Sequence, residues 1–253
     1  MKKYFKTITT LGLAFTMLFG TTAFAKDLGL ETEAESNIEI EEVDPYIYEM
    51  IDAYENGTFV ERNDSKMFKP SEIFNEINPL SDSSEDVDFI YDLRKIDEGI
   101  YEATQISLYA SDNEDTSQRT KYGVKIFCTI VFEEKYFDDP WPYIMLNRVK
   151  GGVLDESQDY EAVELRMGYT AEGDAYDDNG TRIGSKRLYK SPSNYSVNNP
   201  LVGPAYSIAG PKTYYFNSGI SPMLIAGMVE VDIENSNGST SIVEASTTIE
   251  EIG

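Results

Sequence analysis

Apolar and polar residues alternate along most of the chain after Gly99, and this period of two is typical of β-strands with one buried face. The clearest run spans residues 122–132, where Cys128 and five other apolar residues occupy every second position. A later run carries its apolar residues at Val163, Leu165, Met167 and Tyr169. The pattern predicts eight strands, at residues 100–110, 121–134, 143–154, 160–172, 181–190, 206–217, 222–234 and 239–250.

Turn residues separate these strands in a way that indicates antiparallel neighbours. Asn179-Gly180 and Asn237-Gly238 are strong two-residue hairpin signals, and residues 111–120 form a longer polar connection. Strands at this spacing predict a mainly β fold, with an antiparallel β-sandwich of about eight strands over residues 99–253, or a barrel.

The period changes before this β region. Asp44 and Pro45 have the residue types of a helix N-cap and first helical position, and an amphipathic pattern continues to Asn56-Gly57. A second short helix is predicted from Pro70 to Ile77, followed by a polar linker from Ser81 to Asp88. Residues 45–98 are therefore predicted to be a short segment with one or two helices and a linker.

The first residues have the pattern of an export signal. Lys2, Lys3 and Lys6 precede an apolar stretch over residues 11–19, and Ala23-Phe24-Ala25 supplies small residues for cleavage. The apolar stretch is too short to span a bilayer, and no cysteine follows Ala25 to carry a lipid. The pattern predicts a signal peptide over residues 1–25, cleavage after Ala25, secretion, and no stable membrane anchor.

Acidic residues dominate the chain that would remain. Its formal net charge is −24, and removal of three lysines with residues 1–25 makes it −27. Such a charge disfavours nucleic acid and anionic membranes and favours cations or basic partners. Residues 26–44 are especially acidic and are interpreted as a flexible leader, with a cleaved pro-segment as the alternative.

Two features of the composition restrict the chemistry. The chain has no histidine, which excludes Ser-His-Asp and Cys-His catalysis and a histidine-ligated zinc site within this chain. It has one cysteine, so no intramolecular disulfide forms, and the alternation around Cys128 predicts a buried packing residue.

Carboxylates are the abundant reactive groups, and a glycosidase needs two of them on facing strands. No one pair stands out, so no catalytic residue is assigned. Solvated strand faces are the favoured interpretation. The carboxylates on predicted strands are Glu102, Glu133, Glu134, Glu161, Glu164 and Glu230.

A dense group of oxygen ligands precedes Gly180. Asp174, Asp177, Asp178 and Asn179 are candidate calcium ligands, although their spacing does not fit a helix-loop-helix calcium site. A hairpin turn built from turn-forming residues is the favoured interpretation, and no cofactor other than this candidate calcium ion is predicted.

Aromatic residues near prolines are the candidate ligand-binding residues. Trp141 stands between Pro140 and Pro142, beside Tyr143, and could stack on a sugar or a protein partner, or fold back over the end of the sandwich. Tyr195 lies in a second segment rich in proline, asparagine and tyrosine, and is a third candidate.

Residues 146–173, LNRVKGGVLDESQDYEAVELRMGYTAEG, contain a glycine-bearing strand, a downstream aspartate and a Gly-Tyr strand. In these features the C-terminal part resembles small exported β-sandwich proteins of Gram-positive bacteria that have no assigned function. The resemblance implies a sandwich fold and export from a Gram-positive cell, and it implies no active site.

Together these patterns predict a secreted, non-enzymatic β-sandwich protein that binds an extracellular protein or glycan, or a cell-envelope component, through its loops. Two alternatives stay open. One is a secreted carboxylate-dependent hydrolase of the glycosidase type, and the other is a bacteriocin- or toxin-like protein whose last hairpin inserts into a membrane.

Overall fold

The structure, a computed structural model, describes residues 38–56, 65–68, 89–108, 122–138, 140–220 and 222–250. These residues form one α-helix, α1 (Pro45–Glu55), a short 3₁₀ turn at Pro192–Asn194, and thirteen strands. The strands are β1 (Glu39–Glu42), β2 (Ser65–Phe68), β3 (Phe89–Asp97), β4 (Ile100–Ser107), β5 (Lys125–Lys135), β6 (Tyr143–Asp155), β7 (Tyr160–Tyr176), β8 (Arg182–Lys190), β9 (Ser196–Asn198), β10 (Pro204–Ala209), β11 (Tyr215–Asn217), β12 (Leu224–Asn235) and β13 (Thr240–Glu250).

All of these strands belong to one antiparallel sheet, which confirms the predicted mainly β, antiparallel fold. The main order is β13-β12-β7-β11-β6-β5-β4-β3-β2, and β8 and β9 pair with β7 while β10 joins β6 to β1. The sheet folds back so that β12 and β13 lie against β4 and β5 without pairing with them. The layers of the predicted sandwich are therefore parts of one continuous hydrogen-bonded sheet.

The main core lies between these facing parts. Cys128 is fully buried there with Ile130, as the alternation predicts, and burial raises the pKa of its thiol to about 12. Glycines let the layers approach closely. A Cβ on Gly151 would lie 2.2 Å from Cγ2 of Val229, and a Cβ on Gly227 would lie 2.6 Å from Cγ2 of Ile130.

Hydrogen bonds that involve side chains, rather than ladder pairs, connect β13 to the facing strands β4 and β5. The Ser246 amide donates to Oε1 of Gln105 at 2.6 Å, and the Thr247 hydroxyl donates to the Cys128 carbonyl at 2.6 Å. These two bonds satisfy buried polar groups at the place where the sheet comes back on itself.

Helix α1 covers the outer face of β3, β4 and β5. Ile47 and Met50 pack there against Ile106 and Phe127 in a second, smaller core. The helix begins as predicted, since the Asp44 carboxylate accepts a hydrogen bond from the Tyr46 amide at 2.9 Å. No helix among the residues that the structure describes is long and apolar enough to cross a membrane.

The eight predicted strands correspond to strands of the structure to within four residues at each end, with two corrections. The predicted strand 206–217 is two strands, because Gly210 and Pro211 interrupt it and proline cannot donate to a ladder. Val163 is not in the core, because a β-bulge opposite Asp232 shifts the register and buries Ala162 in its place.

The N-terminal predictions differ more from the structure. Part of the predicted flexible leader, Glu39–Glu42, is strand β1 and pairs with β10. Part of the predicted helical segment and linker is β3, and its outer face buries Asp92 and Arg94 beneath α1, which obscures the alternation. β2 and β9 were also not predicted. The second predicted helix, at residues 70–77, lies outside the described residues.

Candidate functional site

Antiparallel pairing places four connections at the same end of the sheet. They are the turn 98–99 between β3 and β4, residues 136–142 between β5 and β6, the hairpin 177–181 between β7 and β8, and residues 218–223 between β11 and β12. We call this region the loop end. It brings together two groups of candidate residues that are separate in the sequence, the aromatic pair Trp141 and Tyr143 and the acidic hairpin around Asp178.

An open groove of about 260 Å³ runs between two of these connections. Its lining residues are Phe137, Asp138, Tyr143, Asn179 and Gly180. Asp138 and Asn179 are exposed, whereas the Tyr143 side chain is only 4% exposed. The groove therefore has polar side chains at its rim and an aromatic floor.

The floor is a chain of aromatic rings that meet edge to face. The Tyr143 ring lies with its centroid 4.7 Å from that of Phe137 and 4.8 Å from that of Tyr176, and Phe137 is 5.9 Å from Tyr215. Each such pair contributes about 0.5–1.5 kcal/mol beyond the area that it buries. This packing fixes Tyr143 in place, so it supports the groove but is too buried to stack on a ligand.

Lys135 joins three of the elements that form the loop end. Its ammonium donates to the Asp178 carbonyl at 2.7 Å, and it lies 5.1 Å and 5.3 Å from the ring centroids of Phe137 and Tyr215. The hairpin approaches closely because a Cβ on Gly180 would lie 2.8 Å from the Phe137 ring, and its φ of +79° favours glycine.

Trp141 is half-buried against the fourth connection. A Cβ on Gly219 would lie only 2.3 Å from Cγ of the indole, so the absence of a side chain there makes room for the ring. The Ser218 amide and hydroxyl both donate to the Pro142 carbonyl, at 3.0 Å and 2.8 Å. The indole ring packs on the molecule, as in the interpretation that it folds back over the end of the sheet, but part of it stays exposed.

Two of the candidate calcium ligands make hydrogen bonds within the hairpin. Asp174 binds Arg182 through both carboxylate oxygens, at 2.6 Å and 2.7 Å, and this pairing lowers its pKa. Asp177 accepts from the amides of Asn179 and Thr181 at 2.9 Å and 2.8 Å. Within the part of the chain that the structure describes, no three acidic or cysteine side chains are grouped to hold a metal ion.

Carboxylates surround the aromatic rings at this end. The Tyr215 hydroxyl donates to Glu133 at 2.7 Å, and burial together with this carboxylate raises the pKa of the phenol. Tyr136 is 57% exposed, and burial of its hydroxyl and the neighbouring Glu134 raise its pKa as well. Both phenols are neutral at physiological pH, and each has a carboxylate beside its hydroxyl.

The third aromatic candidate lies elsewhere. Tyr195 is buried beside the middle of β7, where its carbonyl accepts from the Met167 amide at 3.0 Å, and the Lys190 ammonium lies 5.4 Å from its ring. It is therefore neither exposed to a ligand nor near the loop end.

Three of the strand carboxylates make ion pairs. Glu164 and Glu230 both lie on the outer face of the sheet and bind Arg166, at 2.9 Å and 3.0 Å. Glu102 is buried beneath α1, where its carboxylate binds Arg94 at 2.5 Å and Lys150 at 3.1 Å.

This second polar cluster lines a cavity of about 70 Å³ between α1 and the sheet. Arg94 also binds Asp44 at the start of the helix, and the Tyr46 hydroxyl is 3.4 Å from the Asp92 carboxylate. The cluster therefore links the N-terminal helix to β3, β4 and β6, and we interpret it as structural.

Lys135, Tyr136 and Phe137 are not among the residues that the sequence patterns indicate, although they lie four to six residues before the tryptophan. Their signal is the run YFDDPWPY at 136–143, which has four aromatic rings in eight residues and continues the strand that ends at Lys135. No family model matches this chain, and no curated protein matches it. Its function is therefore argued from the loop end itself.

Proposed function

We propose that this chain is an exported, non-enzymatic protein that binds an extracellular or cell-envelope partner through the loop end. The observation that carries the proposal is the groove between residues 136–142 and the hairpin 177–181, with exposed Asp138 and Asn179 above an aromatic floor. Polar groups at fixed positions beside apolar surface are typical of binding sites.

The rigidity of this surface favours recognition. Three of the four connections contact one another. Lys135 and the Phe137 ring contact the hairpin 177–181, and Trp141 packs against Gly219 of residues 218–223. A surface that is ordered before binding loses little conformational entropy when the partner arrives. Binding through rigid loops also needs no proton-transfer residue, which suits a chain without histidine.

The N-terminal pattern supports a partner outside the cell, and the net charge supports a cationic one. The signal-peptide pattern at residues 1–25 directs the chain out of the cell. The exported chain, with a net charge of −27 once the three lysines of residues 1–25 are removed, attracts cationic partners and repels anionic ones.

The single tryptophan gives a direct test, because Trp141 belongs to the loop end. Titration of the purified chain with extracellular and envelope fractions is expected to change the fluorescence of this residue in a saturable way. Tyr136→Ala is expected to weaken the interaction, and Tyr48→Ala is the matched control, since that exposed tyrosine lies on α1. Equal binding by both variants would count against the proposal.

A further inference from the structure

The size of the groove at the loop end and the residues that line it restrict which ligands can bind there. Its volume of about 260 Å³ is below the range of roughly 300–1,000 Å³ that encloses a drug-sized ligand. It is open on one side, so it fits a unit of a longer molecule that continues along the surface.

Strand β8 begins at Arg182, directly after the hairpin, and among the described residues it pairs with β7 alone, so its outer edge is open to an added peptide strand. An amphipathic helix needs an apolar groove, whereas this one has Asp138 and Asn179 at its rim. The groove therefore disfavours an amphipathic helix, and the oligolysine probe used below distinguishes a basic peptide from a sugar.

The side chains at the groove match a sugar. The Asp138 carboxylate and the Asn179 amide are planar groups that hydrogen-bond to hydroxyls, and the Phe137 ring beside them can pack against the apolar face of a pyranose. Tyr136 and Trp141, on the same connection, add a more exposed and a half-buried ring.

The charge at the loop end favours a cationic sugar over a neutral one. Two cations lie there, Lys135 and Arg182, against the larger group of carboxylates Glu133, Glu134, Asp138, Asp174, Asp177 and Asp178. The Lys135 ammonium already occupies the rings of Phe137 and Tyr215, so the amino group of a ligand has to pair with the exposed Asp138 carboxylate at the rim.

We propose that the groove binds an oligosaccharide that carries free amino groups, such as a chain of glucosamine units. The inference rests on the proposed function, because it names the ligand class of the same site. One sugar ring packs beside Phe137, its hydroxyls bind Asn179, and its ammonium group is paired with Asp138.

The test compares three soluble probes by calorimetry and by the fluorescence of Trp141 at low salt. They are a glucosamine oligomer, the N-acetylated oligomer of equal length, and oligolysine of equal charge. We expect saturable binding of the glucosamine oligomer, and binding of the other two that is weaker by about tenfold or more. Asp138→Asn is expected to reduce glucosamine binding about tenfold, and Asp52→Asn on α1, which is also exposed, is the matched control.

Each other outcome overturns the inference. Equal binding of oligolysine would show attraction by charge alone, and equal binding of the acetylated oligomer would show that the amine is not read. If no probe binds while the chain still binds an envelope fraction in a manner that depends on Tyr136, the ligand class is wrong and the proposed function stands. If neither the probes nor the fractions bind, both proposals fail.

Discussion

Two glycines determine how closely the facing parts of the sheet approach. Gly151 and Gly227 lie opposite Val229 and Ile130, at distances that leave no room for a Cβ. Each would look like a weak point of a strand from sequence alone, since glycine lowers strand stability unless another chain segment approaches closely.

Replacing Gly227 with alanine is expected to destabilise the fold. The new Cβ would lie 2.6 Å from Cγ2 of Ile130 and 3.0 Å from Cγ1 of Val149, so packed core side chains must move. Such overpacking costs about 1–3 kcal/mol, which urea unfolding followed by circular dichroism measures. Glu234→Ala, at the exposed end of the same strand, should change stability by less than about 0.5 kcal/mol. Equal stabilities for the two variants would contradict the close packing.

At the scale of elements, α1 is held to the sheet by charges as well as by its apolar face. Burial opposes ionisation of Asp44, but the bonds from Arg94 and from the Tyr46 amide outweigh it, and the pKa of the carboxyl is lowered. The folded state therefore binds a proton at Asp44 less readily than the unfolded chain does.

This shift predicts a loss of stability in acid. The contribution of Asp44 is present above its ordinary pKa of 3.8 and is lost as the pH falls through its lower folded value. Asp44→Asn should reduce stability at pH 7 and flatten the decline below pH 4, as measured by thermal unfolding across pH. Asp52→Asn, on the exposed side of the same helix, is the control and should leave that decline unchanged. A decline that is the same in both variants would contradict the assignment.

Lys135 supplies contacts that hold the connections of the loop end to one another. Lys135→Met removes the ammonium that binds the Asp178 carbonyl and the rings of Phe137 and Tyr215. We expect faster amide hydrogen exchange in residues 177–181, with a loss of about 1 kcal/mol in global stability. Lys95→Met, on the exposed face of β3, should leave exchange in that hairpin unchanged. Unchanged exchange in Lys135→Met would show that the hairpin does not depend on this contact.

The elements that sequence predicts best are those with one buried face and one polar face. β12 has that pattern, and its bounds agree with the prediction to within two residues, whereas β5 is buried along most of both faces and begins four residues later than predicted. In β3, the polar residues Asp92 and Arg94 lie under a helix, so apolar and polar residues do not alternate in the way that predicts a strand. In β1, most residues are charged and exposed, so the sequence pattern resembles that of a flexible tail. Sequence patterns indicate Trp141 and the acidic hairpin as separate candidates, but the meeting of residues 136–142 with 177–181 depends on sheet order, which local patterns do not give.

At the scale of the whole molecule, export is the expectation with the plainest test. N-terminal sequencing of the chain recovered from culture medium should begin at Lys26, because cleavage is predicted after Ala25. A start far beyond residue 55 would mean that β1 and α1 are removed, which would expose the apolar face of Phe127 and Ile106. A chain that stays in the cell with Met1 attached would contradict export.

The described residues of the molecule include an aromatic groove at the loop end, and this groove is proposed to contact the partner. The most direct measurement is co-sedimentation of the purified chain with insoluble envelope material. The account predicts that the double variant Tyr136→Ala with Asp138→Asn stays in the supernatant, whereas the matched double variant Tyr48→Ala with Asp52→Asn sediments like the unchanged chain. Equal sedimentation of the two double variants would contradict it.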